Sequence, residues 1–85
     1  MFDVEFTPRG KKDLEKLSRD SQKRILKKLQ FFSSQPDPLL FSKPLVNLPP
    51  ATHRFRVGDY RIAFYLFGKT IVIDRIRHRR EVYQD

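Results

Sequence analysis

The stretch HRFRVGDYRIAFYLFGKTIVIDRIR, from His53 to Arg77, constrains the fold more than any other part of the chain. Three runs rich in β-branched and aromatic residues are separated by Gly58-Asp59 and Gly68-Lys69. Glycine in the first position of a two-residue loop suits a type II′ hairpin, whose twist matches the strands it joins. So short a loop fixes strand register. Val57 is therefore predicted opposite Tyr60, Arg56 opposite Arg61, Phe55 opposite Ile62, and Arg54 opposite Ala63. Across the second turn, Phe67 is predicted opposite Thr70, Phe64 opposite Ile73, Ile62 opposite Arg75, and Arg61 opposite Ile76.

Cross-strand partners share a face. One face collects Phe55, Val57, Tyr60, Ile62, Phe64, Leu66, Ile71 and Ile73, which is a core. The other collects Arg54, Arg56, Arg61, Ala63, Tyr65, Val72 and Asp74. Placing Arg56 opposite Arg61 opposes folding unless an anion lies between them. A site for phosphate would favour that pair, because guanidinium groups bind phosphate through paired hydrogen bonds. The alternative is a solvated face partly neutralised by Asp74. The same register sends Arg75 and Arg77 to the core side, at the end of the sheet. A bulge between Asp74 and Ile76 would instead swing Arg77 to the cationic face. The sequence is compatible with both.

The front half supplies helices to cover the core. FDVEF (Phe2 to Phe6) alternates as a short strand. Thr7-Pro8 reads as an N-cap followed by proline at the first helical position, opening a helix over residues 8–17. Leu14 and Leu17 face inward, Lys11, Lys12 and Lys16 face solvent, and Gly10 weakens the helix. Ser18 to Asp20 breaks the pattern. A second helix follows over residues 21–34, with Ile25, Leu29 and Phe32 inward and Lys23, Arg24, Lys27 and Lys28 outward. The proline-rich connection from Gln35 to Thr52 is expected to be pinned by Leu39, Leu40, Phe41, Leu45 and Leu48. The order is β-α-α-β-β-β: one α+β domain over residues 1–85, its helical hairpin on one face of a small, mostly antiparallel sheet.

With 39% hydrophobic residues the chain is too apolar to stay disordered. It contains no cysteine, which excludes a disulfide framework and a thiol nucleophile. No apolar run is long enough for a membrane span and no signal peptide is visible, so a cytoplasmic protein is expected. A net charge of +8 produces a positive field that suits nucleic acid or an acidic protein segment.

The tail, IRHRREVYQD, adds His78, Arg79, Arg80 and Tyr83 just past the last strand. Metal-free RNA cleavage needs a base for the 2′-hydroxyl, cations for the transition-state charge, and an acid for the leaving oxygen. Arginines can supply the cations, and a histidine can be acid or base. A tyrosine can stack on a base, donate a hydrogen bond or transfer a proton, or its ring can simply cap the edge of the core. Two histidines and scattered carboxylates lack metal-ligand spacing, so no metal and no cofactor is expected.

HRFRVGDYR (His53 to Arg61) and HRREVY (His78 to Tyr83), with a strand and helical hairpin before them, resemble the RelE/ParE toxin superfamily over nearly the whole chain. The resemblance implies a type II toxin of the RelE-like kind: a ribosome-dependent mRNA endonuclease that cuts in the A site and is silenced by an acidic antitoxin. Promoter DNA would be met only through the antitoxin. Arg61 would bind the scissile phosphate, with Arg54 and Arg56 holding the backbone. Arg77 or Arg79 would be the second transition-state cation or the acid, His78 a candidate acid or base, and Tyr83 would stack on or activate the 2′-hydroxyl nucleotide. At Thr52, some nucleases of the family carry lysine. The alternatives are a ParE-like inhibitor of DNA gyrase, and a non-catalytic RNA- or ribosome-binding homologue.

Overall fold

The structure is a computed structural model, described here for residues 1–80. Strand β1 (Asp3–Phe6) leads into α1 (Pro8–Glu15) and α2 (Arg19–Ser33). A 3₁₀ turn (Pro38–Phe41) and a short strand β2 (Lys43–Pro44) follow, then β3 (His53–Val57), β4 (Tyr60–Phe67) and β5 (Thr70–His78). The sheet order is β1-β5-β4-β3-β2, antiparallel except where β1 lies parallel to β5. The α+β architecture is the expected one, with β2 as an addition inside the proline-rich connection.

Local chemistry explains the element boundaries. The Thr7 hydroxyl accepts a hydrogen bond from the Gly10 amide at 3.0 Å, capping α1 as the Thr-Pro pair predicts. Ser18 caps α2 by accepting from the Ser21 amide at 3.2 Å, so this helix starts earlier than its apolar periodicity suggests. Both glycine-led turns form. Gly58 and Gly68 have positive φ while Asp59 and Lys69 do not, the pattern of a type II′ rather than a type I′ turn.

The core lies between the helices and one sheet face. Ile25, Leu29 and Phe32 of α2 and Leu14 of α1 meet Phe55, Val57, Ile62, Phe64, Ile71, Ile73 and Ile76. Phe32, Phe55 and Phe64 form a three-ring stack, with centroids 4.2 and 4.1 Å apart, linking α2 to β3 and β4. Each buried ring contributes roughly 1.5–3 kcal/mol by transfer from water. In the connection, buried Pro38 and half-buried Leu39 anchor the 3₁₀ turn, whereas Leu40 is 80% exposed and Phe41 is also exposed. A short turn of this kind presents only one side to the core. Leu45, Ala51 and Ala63, with Leu48 against them, form a second small cluster. Because Ala63 shares the arginine face, the connection folds over that side of the sheet.

Register is as expected throughout β3–β4 and for the half of β4–β5 nearest the turn. Beyond it the ladder shifts: Phe64 pairs with Ile73, but Ala63 pairs with Arg75, Ile62 with Ile76 and Arg61 with Arg77. Asp74 is the extra residue of a bulge. The pairings of Ile62 with Arg75 and of Arg61 with Ile76 are thereby corrected. Burial supplies the reason. A regular ladder would bury two guanidinium groups and expose Ile76, whereas the bulge buries Ile76 and turns Arg75 and Arg77 outward.

The bulge is held by α1. Asp74 is 2% exposed, and its carboxylate accepts from the Thr7 hydroxyl at 3.2 Å and pairs with Arg9 at 3.2 Å. It therefore serves the start of α1, not the charge of Arg54, Arg56 and Arg61. Gly10 packs against the same strand, where a Cβ would collide with the Ile73 carbonyl oxygen. Its cost to the helix is the condition for this close approach.

Candidate functional site

Two rows of residues cross the sheet face opposite the helices. Arg56, Arg61 and Arg77 lie in register on β3, β4 and β5. The neighbouring row runs Lys43, Arg54, Ala63, Arg75 across β2 to β5. Ala63, fully buried under Leu45 and Ala51, keeps the middle of that row low and neutral. Like charges directly opposite each other oppose pairing by roughly 0.2–1 kcal/mol per pair. A row of three arginines is thus a local cost that the apolar face offsets.

Among the described residues, the carboxylates near this face sit at its rim. Asp13 of α1 is buried, and its Oδ2 accepts from the Ile76 amide at 2.9 Å and from Arg77 Nη1 at 3.0 Å. This one oxygen fixes the backbone just past the bulge and draws the Arg77 guanidinium toward α1. Asp74 lies 3.7 Å from Arg75 Nε. Asp59, in the β3–β4 turn, lies 3.6 Å from Arg79 Nε, and its carbonyl accepts from the Arg79 amide at 2.7 Å. Anions are thus placed to hold cations at the edges.

The residues expected from sequence divide accordingly. Arg54, Arg56 and Arg61 share the face, and Arg77 joins them through the bulge. Arg79 sits at the end of the sheet beside Asp59. His78 does not join the row. It pairs with Tyr60 on the helix side, its ring edge-on to the tyrosine at 5.4 Å, and its Nδ1 accepts from the Arg80 amide at 3.2 Å. The phenol of Tyr60 in turn lies 3.5 Å from the Ser21 hydroxyl of α2. Tyr83 lies outside the described residues. Lys43 and Arg75 extend the face beyond the residues expected from sequence. Lys43 is hidden in the irregular connection, and a ladder without a bulge turns Arg75 inward. The signal for Arg75 is present in the pattern IDRIR, which would bury two arginines if the strand stayed regular. Among the described residues no cluster of His, Cys, Asp and Glu is placed to hold a metal ion. No described helix is long and apolar enough to cross a membrane.

This arrangement can grip a polyanion. Six cations on two rows offer several guanidinium forks to consecutive phosphates, and the row containing Arg61 can place three around one of them. The β3–β4–β5 ladder fixes the backbone positions from which these cations reach an anion, and cations placed in advance are what stabilising charge in a transition state calls for.

Comparison with known proteins identifies the family and the fold. Residues 4–83 match the family model described as the ParE toxin of the type II toxin–antitoxin system parDE. The structure resembles the toxin–antitoxin complex RelBE2 from Mycobacterium tuberculosis, with a TM-score of 0.76 and 29% identity over 94% of this chain and 93% of that one. It also resembles the RelB–RelE antitoxin–toxin complex from Methanococcus jannaschii, with a TM-score of 0.61 and 29% identity over 88% and 89% of the two chains. The chromosomal ParDE system from P. aeruginosa gives a TM-score of 0.52 at 20% identity over 92% and 96%, a likeness of fold alone. No curated protein sequence matches the chain.

Proposed function

The chain belongs to the ParE toxin family of type II toxin–antitoxin systems, within the RelE/ParE superfamily, and we propose that it is a toxin of the RelE-like kind, an endoribonuclease acting on mRNA in the ribosomal A site. The observation that carries this reading is the row Arg56–Arg61–Arg77, three arginines whose backbones are in register across β3, β4 and β5. Phosphodiester cleavage without a metal needs cations to stabilise the developing charge, and this row supplies them; inhibition of a large protein target makes no such demand.

In the proposed mechanism Arg61, at the centre of the row, binds the scissile phosphate. Arg56 and Arg77 flank it and stabilise charge as the 2′-oxygen, its proton passing to a base, attacks phosphorus to form a 2′,3′-cyclic phosphate, and the 5′-oxygen departs with a proton for which Arg77 or Arg79 is the candidate donor. Arg54, one step along the strand, holds the adjacent backbone, and Arg79 at the rim is a second candidate cation. Tyr83 is proposed to stack on or activate the nucleotide bearing the 2′-hydroxyl. His78, turned to the helix side, serves the edge of the core better than proton transfer. The protein works in the cytoplasm, where translating ribosomes are found. A cognate antitoxin, as in the RelBE complexes it resembles, would cover the arginine face with acidic residues and suppress the repulsion there.

The test is induction of the protein in a bacterial host, with primer extension on a translated reporter mRNA, beside Arg61→Ala. Codon-phased 5′ ends that vanish in the variant support the nuclease. Growth arrest with intact mRNA and inhibited supercoiling would assign the chain to the gyrase inhibitors instead. Folded protein without toxicity would leave a binding module.

A further inference from the structure

A second cationic surface lies outside the two rows. Where β1 stops pairing with β5 at Ile73, the rest of β5 has a free edge, and α1 lies along it. Between them is an open cleft of about 430 Å³ lined by Pro8, Arg9, Lys12, Asp13, Lys16 and Arg77. Four cations face one carboxylate, and that carboxylate is already engaged by the Ile76 amide and by Arg77. Arg9 is bound to Asp74 at 3.2 Å, yet about half its side chain remains exposed.

Helix physics accounts for part of this charge pattern: Lys12 in the last turn and Lys16 at the C-cap complement the dipole of α1, but as like charges four apart they oppose each other by roughly 0.2–0.5 kcal/mol. The first turn of α1 carries no acidic residue to complement its dipole. Arg77 belongs to both surfaces: it stands opposite Arg61 in the row and lines the cleft. The two cationic surfaces are therefore continuous around the free edge of β5.

We propose that the α1–β5 cleft binds a backbone phosphate of RNA, so that a strand gripped on the arginine face, or a neighbouring RNA segment, is also held by Lys12 and Lys16. The proposal rests on the nucleic-acid reading above and extends it to a site adjoining the one proposed for the reacting phosphate. Its probes are a fully 2′-O-methylated, uncleavable RNA oligonucleotide and vacant ribosomes, titrated across salt concentrations with the wild type, a Lys12→Ala/Lys16→Ala variant and Arg61→Ala. The lysines are exposed and at the helix surface, so the double variant keeps its fold. Affinity for the probe falls several-fold in that variant, and the slope of log affinity against log salt becomes shallower by about one for each phosphate no longer neutralised.

Weaker binding of the oligonucleotide identifies the message strand as the occupant, and weaker binding of vacant ribosomes alone identifies ribosomal RNA. Both uphold the proposal. If the double variant binds both probes as the wild type does while Arg61→Ala weakens binding, the cleft is excluded and the nuclease reading stands. If neither variant changes binding, the nucleic-acid reading fails and the cleft proposal fails with it. If the double variant loses affinity only for an acidic antitoxin, the cleft belongs to a protein partner and the proposal is overturned.

Discussion

The two faces of the β3–β4–β5 ladder are made by the same strands with opposite physics. On one, Phe55, Ile62, Phe64 and Ile76 leave water entirely or nearly so, and their rings and methyls attract whatever covers them. On the other, Arg56, Arg61 and Arg77 stand in register as like charges, with Arg77 also paired to Asp13. Stability arises on the first face and is diminished on the second, so a substitution should act on one quantity or the other according to its face.

The largest effect that can break this comparison is Phe55→Ala. It removes the middle ring of the Phe32–Phe55–Phe64 stack and is expected to destabilise the fold by about 3–5 kcal/mol, measured by urea unfolding. Cleavage per folded molecule should change little. Arg61→Ala is the mirror experiment. Cleavage should fall by about 10²–10³-fold, as for removal of a group that stabilises transition-state charge, while the unfolding midpoint stays near that of the wild type. A parallel loss of stability and cleavage in either variant would show that the faces are not separable.

Gly10→Ala sharpens the point at the edge where α1 meets β5. Helix propensity favours alanine by about 1 kcal/mol, but the new methyl meets the Ile73 carbonyl. A net destabilisation of roughly 1–3 kcal/mol is expected, as for overpacking elsewhere. Net stabilisation would mean that the helix and strand separate without consequence. The smallest effect is expected from Arg56→Gln, which relieves the repulsion with Arg61. Stability should rise by about 0.2–1 kcal/mol at low ionic strength and lose that advantage in high salt, while cleavage declines. A drop in melting temperature at low salt would contradict the repulsive row.

Much of this is legible in the sequence because two glycine-led turns fix register without tertiary information. They place Arg54, Arg56 and Arg61 together and put Phe55, Ile62 and Phe64 beneath them. What stays hidden depends on residues distant in the chain. Whether β5 bulges at Asp74 is decided by Thr7, Arg9, Gly10 and Asp13, more than 60 residues earlier. Period-two alternation cannot register such partners. The position of Arg77 is therefore open from sequence, and alternation alone turns Arg75 to the wrong side. The placement of His78 depends on the same bulge. Its neighbours in sequence are cations, but the bulge sets its parity to that of Ile76, and it meets Tyr60. Leu40 illustrates the opposite limit: an apolar residue in an irregular segment carries no periodic signal of which way it turns.

The pairing of β1 with β5 also has a consequence for biosynthesis. Strand β1 finds its partner only when β5 has left the ribosome, and until then α1 has no bulge to clasp and Arg61 has no Arg77 beside it. Nascent chains interrupted before β5 cannot complete the arginine row, so the order of synthesis delays assembly of the site until β5 has been made.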